Sequence, residues 1–101
     1  MKRKTLFYHL FRHKRYEVVE INKRVKNRLG LCESPDTKDK ILEIPVGHSL
    51  TSFEVQIHEA IHACLYDLDE PTVEEISTNI SKYLWKLGWR NVSVLNSEEL
   101  K

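Results

Sequence analysis

Two histidines and a glutamate stand at a spacing that can do chemistry: His58-Glu59-Ala60-Ile61-His62, an H-E-x-x-H motif. Residues four apart lie one above the other on a helix face. On a helix, both imidazoles can therefore grip one Zn²⁺ at about 2.0–2.1 Å per nitrogen. Glu59 is offset to the neighbouring flank and is predicted to reach a metal-bound water as general base, not as a ligand. The chemistry this predicts is hydrolysis: the metal lowers the water's pKa toward about 7, Glu59 accepts its proton, and a polarised carbonyl is attacked. With five His and eleven Glu in 101 residues, shuffling produces the motif in roughly 3 of 100 chains, so the surrounding sequence has to support it.

The surroundings predict a helix over about 50–66. Thr51-x-x-Glu54 has the form of a capping box. Leu50, Phe53, Ile57, Ala60, Ile61 and Cys64 recur at helical spacing as one apolar stripe, with His58 and His62 at its edge. Asp67-Leu68-Asp69 ends this helix, and Glu70-Pro71 opens a second, since Pro suits a first turn and acids suit its positive end. Val73, Ile76, Ser77, Ile80, Tyr83, Leu84 and Leu87 are predicted to carry its buried face, and Gly88 to stop it.

A third metal ligand is sought among Asp67, Asp69, Glu70, Glu74 and Glu75. In an antiparallel helix pair turning near 67–70, His62 and Glu74 fall at similar heights, and Glu74 flanks the stripe while Glu75 points further toward solvent. Small Ser77 and Ser81 would let the helices approach closely. Glu74 is the assigned ligand and Glu70 its main rival, better suited by Pro71 to a helix start. For the oxyanion, Tyr83, His48 and His9 are able to donate, without a feature that singles one out.

The elements that must position these residues form one small domain over 1–101. A chain this short buries a modest core, to which a metal would add stability. Hydrophobic content of 41% and charged content of 31% are those of a soluble globular protein. No apolar run is long enough to span a membrane, and Met1-Lys2-Arg3-Lys4 lacks the apolar stretch of a signal peptide. The expected location is the cytoplasm. Cys32 and Cys64 make no disulfide framework; Cys64 lies on the apolar stripe and Cys32 has no CxxC partner. Residues 1–28 hold ten Lys or Arg against two Glu, a net +8, and the remainder is −7. The basic segment is read first as a solvated face or one that docks on the acidic half, and second as a contact for nucleic acid.

Ahead of the helices, residues 1–28 read as strands at about 5–11 and 16–22, joined by the basic turn Arg12-His13-Lys14-Arg15, with an amphipathic helix over part of the region as the alternative. Gly30, Ser34, Pro35 and Asp36 mark a loop. Ile41 to Pro45 reads as a strand that Pro45 confines to a sheet edge, open to an extended peptide. Residues 1–15 are a basic N-terminal segment, Trp89 to Leu95 a short strand or ordered tail, and 96–101 a frayed end.

Taken together, the H-E-x-x-H helix and the acid-bearing helix after it resemble the gluzincin division of zinc metallopeptidases in minimal form. Gly30-Leu31-Cys32-Glu33-Ser34-Pro35, Lys40 to Pro45, Ile57 to Cys64 and Leu84-Trp85-Lys86-Leu87-Gly88-Trp89-Arg90 resemble small metallopeptidase-like proteins encoded by phages and prophages. The resemblance covers about residues 16–90. It implies an α+β, zincin-like fold: a small antiparallel or mixed sheet with an edge strand above the metal helix, and a second helix behind. It also implies one Zn²⁺, a peptide or protein substrate, and, for a phage protein, the host cytoplasm. Glu74 to Ser81 is similar to the E-x-x-A-x-x-F-A pattern that carries the ligand glutamate in some relatives. Larger gluzincins place that glutamate further downstream than the acids here.

Three functions are consistent with this reading: a zinc-dependent peptidase, a non-catalytic module that zinc staples together, and a nucleic-acid-associated protease of the SprT-like kind, to which the basic first 28 residues point. The oligomeric state is left open.

Overall fold

The computed structural model describes residues 4–21 and 30–91. It is a small α+β domain of four strands and two helices. The strands are β1 (Thr5–Phe11), β2 (Lys14–Glu20), β3 (Leu31–Cys32) and β4 (Ile41–Ile44); the helices are α1 (Leu50–Cys64) and α2 (Glu70–Leu87).

β1 and β2 form an antiparallel hairpin closed by Arg12 and His13 alone. Both have positive φ, 51° and 72°, the mirror-image turn whose twist matches the flanking strands. Two side-chain-bearing residues in this region cost roughly 1–2 kcal/mol each. Part of that cost is offset where Arg12 Nη1 donates to the carbonyl of Cys64, 3.1 Å away, and so ties the hairpin tip to the C-terminus of α1.

The sheet order is β1-β2-β4-β3, with β2 parallel to β4 and β3 antiparallel to it. The Ile41–Pro45 strand is therefore not at the edge, as its proline implied. Pro45 follows the last paired residue, Ile44, whose carbonyl accepts from Ile21 N–H, so the ladder needs no proline donor. The outer strand beyond it is β3, inside what reads as a loop. Two residues are too few to show periodicity, and the pairing is extended by Glu33, whose backbone N–H donates to Ile41 O and whose Oε1 accepts from Ile41 N–H.

One face of the sheet packs on α1, around Tyr16, Val18, Leu42 and Ala63. α2 packs on α1 and on no other described element. The domain is thus layered sheet, α1, α2, and α1 is covered on two sides. The helices run antiparallel: Phe53 at the start of α1 faces Trp85 near the end of α2, ring centroids 6.0 Å apart.

Helix boundaries follow their caps. Ser49, not Thr51, caps α1, accepting from Ser52 N–H; Thr51 and Glu54 lie inside the helix. Asp69 caps α2, accepting from Thr72 N–H, with Pro71 in the first turn. Gly88 ends it at φ 102°, where the Trp89 N–H reaches Leu84 O. Residues 89–91 add no strand, and 92–101 lie outside the described residues.

The buried face of α2 differs from the expected one. Val73, Ser77 and Ser81 are buried, while Ile80, Tyr83 and Leu87 are exposed. With α1 as its sole neighbour among the described elements, α2 has one narrow stripe to bury there, and small serines let the helices close up. No helix among the described residues is long and apolar enough to cross a membrane.

Candidate metal centre

His58 and His62 project from one face of α1 as the spacing predicts, and their Nε2 atoms lie 3.2 Å apart. Glu70 Oε1 lies 2.7 Å from His58 Nε2 and 3.1 Å from His62 Nε2. Donors at about 2.0–2.1 Å from a tetrahedral ion stand about 3.3 Å from one another. This triangle is slightly tighter than that. Two imidazole nitrogens and a carboxylate form a borderline-soft set suited to zinc and similar divalent ions. His58, His62 and Glu70 form the group of potential metal ligands found among the described residues.

Glu70 reaches the centre because the connection from α1 is short. Leu65 to Asp69 turn back at once, with Leu68 N–H bonded to Leu65 O. The first residue of α2 is thereby set over the last turn of α1. Burial pushes the Glu70 pKa up, but the hydrogen bond from His62 and the charges of both histidines outweigh it and hold the carboxylate below its ordinary value.

Glu74, the ligand assigned from sequence, stands one turn further on. Its Oε2 is 3.4 Å from His58 Nδ1, on the other side of the ring from Glu70. Ser77 Oγ is 3.4 Å from the same nitrogen and donates to Glu74 O. In this geometry Glu74 and Ser77 orient the His58 ring, the role usually taken by a carboxylate behind a metal-bound histidine. Glu75 is exposed and joins neither group.

Glu59 is far more enclosed than an offset from the histidine face implies, at 8% exposure. A Cβ on Gly30 would stand 2.8 Å from Glu59 Cγ and 2.9 Å from its Oε2, so only glycine leaves the carboxylate its place. No described residue hydrogen-bonds that carboxylate. Burial is the main reason its pKa is pushed up to about 7; Glu70 and Glu43 add to the rise and His58 opposes it. A buried carboxylate without a partner is costly in a fold and common at a site of proton transfer.

Glu59 lies between two hollows. One runs between the helices past Val55, His58, Glu74 and Ser77. The other is a cleft between β3 and the end of α1, lined by Gly30, Leu31, Cys32, His62, Tyr66 and Glu70. Tyr66 brings a hydroxyl to the cleft beside β3, while Thr51, Ser77 and Thr78 line the hollow between the helices. Tyr66 sits in the turn after α1, where no periodicity marks it. Tyr83, His48 and His9, the candidate oxyanion donors, line neither hollow: Tyr83 and His48 are exposed on α2 and before α1, and His9 packs on Phe11 with centroids 4.6 Å apart.

Cys32 borders the cleft but is no ready ligand. Burial pushes its thiol up to about 12, and Sγ lies 3.9 Å from Tyr16 Oη and 3.5 Å from Glu33 O.

Comparisons with protein-family models, with curated proteins and with solved structures find no match. The reading of function rests on the residues themselves.

Proposed function

We propose that this chain is a zinc-dependent peptidase of minimal zincin type, with His58, His62 and a carboxylate of α2 as metal ligands and Glu59 as general base. The observation that carries the reading is the meeting of His58 Nε2, His62 Nε2 and Glu70 Oε1 beside a buried carboxylate that has no described hydrogen-bond partner. When bound there, a divalent ion supplies a Lewis acid and brings a water's pKa toward about 7. Glu59 takes a proton from the attacking water and returns it to the leaving amine. Tyr66 stands in the same cleft as a donor toward the carbonyl oxygen. β3 is the last described strand on that side of the sheet; it borders the cleft and would offer backbone groups to an extended peptide. Glu70 is the ligand its distances favour, with Glu74 behind His58.

Metal analysis and cleavage of an unfolded protein substrate test this together. The expected result is one zinc per chain, lost in His58→Ala and His62→Ala. Glu59→Gln keeps the zinc and lowers cleavage about 10²–10⁴-fold. Glu70→Gln weakens zinc by orders of magnitude, and Glu74→Gln by about 10–100-fold. Should Glu74→Gln prove the more damaging, the two glutamates exchange roles. A Glu59→Gln variant that sheds its zinc, or cleaves as wild type does, removes the general-base role.

A second reading has its own support: the candidate ligands bridge α1 to α2, and α2 packs on no other described element. Zinc would then be a staple for an interaction module. Stoichiometric zinc with no cleavage by wild type selects it.

A further inference from the structure

α2 is the outermost layer of the described fold, and several of its long apolar side chains are turned away from α1, its one described neighbour. Ile80, Tyr83 and Leu87 are 41%, 64% and 60% exposed, and half-buried Ile76 precedes them. The steps from 76 to 80 to 83 to 87 are four, three and four residues, the seam of a two-helix coiled coil. Contiguous apolar surface of this kind marks a contact site. It lies on the flank of α2 away from Glu74 and Thr78, which border the hollow beside His58.

Charge along the helix says what fits. The acids Glu70, Glu74 and Glu75 lie in its first turns, and the bases Lys82 and Lys86 in its second half. A parallel copy would set like on like, whereas an antiparallel copy sets unlike charges together. We propose that this seam docks a second copy of the chain, the two α2 helices running antiparallel about a two-fold axis. Ile76 then meets Leu87 of the partner subunit and Ile80 meets Tyr83 of the partner subunit, and the symmetry repeats each layer. In that register Lys86 falls within about 3 Å, along the axis, of Glu75 of the partner subunit. Both flank the seam on its solvent side, and neither has an ion-pair partner among the described residues. One helix face is a small interface, so the expected dissociation constant is on the order of micromolar. The metal centres stay open on the far flanks.

Sedimentation of the full chain from about 1 to about 500 μM tests this. The expected result is a shift from one chain to two. Tyr83→Lys and Leu87→Lys, at exposed sites and with unchanged melting, raise the dissociation constant at least about tenfold. Lys86→Glu and Glu75→Lys each weaken the dimer several-fold, and an equimolar mixture of these two variants restores it, because both cross-pairs return. A single-chain species at every concentration overturns the proposal, as does a dimer indifferent to the seam substitutions. A mixture that fails to recover overturns the antiparallel arrangement.

Discussion

Residues buried around the site are polar to an unusual degree for so small a core. Glu59, Tyr16 and Cys32 sit between α1 and the sheet, and only Tyr16 has a strong hydrogen bond, 2.9 Å to Glu33 O. For Cys32 and Tyr16 the consequence falls at alkaline pH. Burial raises both pKa values, Cys32 from 9.0 to about 12. A group whose pKa is raised by folding contributes stability that is intact below its unfolded value and lost as pH climbs through the folded one. The window here opens near 9. Unfolding by urea at pH 7 and pH 10.5 should show wild type losing about 1 kcal/mol from Cys32, after allowance for screening of a half-exposed thiol. Cys32→Ala should lose less over the same interval; an identical loss would mean that the thiol titrates as it does in the unfolded chain.

At the level of elements, the site depends on how closely α2 can approach α1. Ser77 and Ser81, 2% and 0% exposed, stand where larger side chains would hold the helices apart. Ser81→Leu should therefore overpack the contact and cost about 1–3 kcal/mol. It should also weaken metal binding, because Glu70 and Glu74 move with the helix. Thermal melts with and without metal, beside a metal titration, check both effects. A stable variant with wild-type affinity would show that the helix spacing is not what places the ligands. The Arg12 contact to Cys64 O acts in the same sense from the other side, holding the end of α1 to the hairpin.

For the whole molecule, the layered order leaves α2 secured through α1 alone among the described elements, and at the site His58 and His62 bridge to it through Glu70, Glu74 and Ser77. A metal that binds the native state alone adds RT ln(1 + [L]/Kd), about 4 kcal/mol at a thousandfold excess over Kd. Chelation should lower the melting temperature and should release amide protection in α2 before it does in β2 and β4. Uniform loss of protection would mean that metal and helix are not linked in this way. The basic first segment is partly spoken for within the chain: Lys4 pairs with Glu20 at 3.8 Å, Arg12 holds Cys64 O, and Arg15 stacks 4.1 Å over Tyr8.

Local chemistry by itself determined a good deal of this protein. The four-residue spacing of His58 and His62 sets both imidazoles on one helical face wherever that helix sits, and the caps and stops near Ser49, Asp69 and Gly88 bound the two helices within a residue or two. Strands were legible at about 5–11 and 16–22 from short runs of apolar, aromatic and β-branched residues; the second instead spans Lys14–Glu20, because Arg12 and His13 alone close the turn. Tertiary structure alone decided the rest. β3 is two residues long and exists only because β4 has an open side, which moves Ile41 to Ile44 from the edge to the interior. Glu59 is enclosed by Gly30, which lies 29 residues away, and no local pattern encodes that approach. Glu70 rather than Glu74 faces both Nε2 atoms because a five-residue connection fixes the offset between the helices, and sequence spacing gives heights along an axis but not the closure of a turn. Which apolar residues of α2 are buried likewise depends on how many neighbours the helix has. A hydrophobic pattern reports the residues that can be buried, and only the packing of layers selects among them.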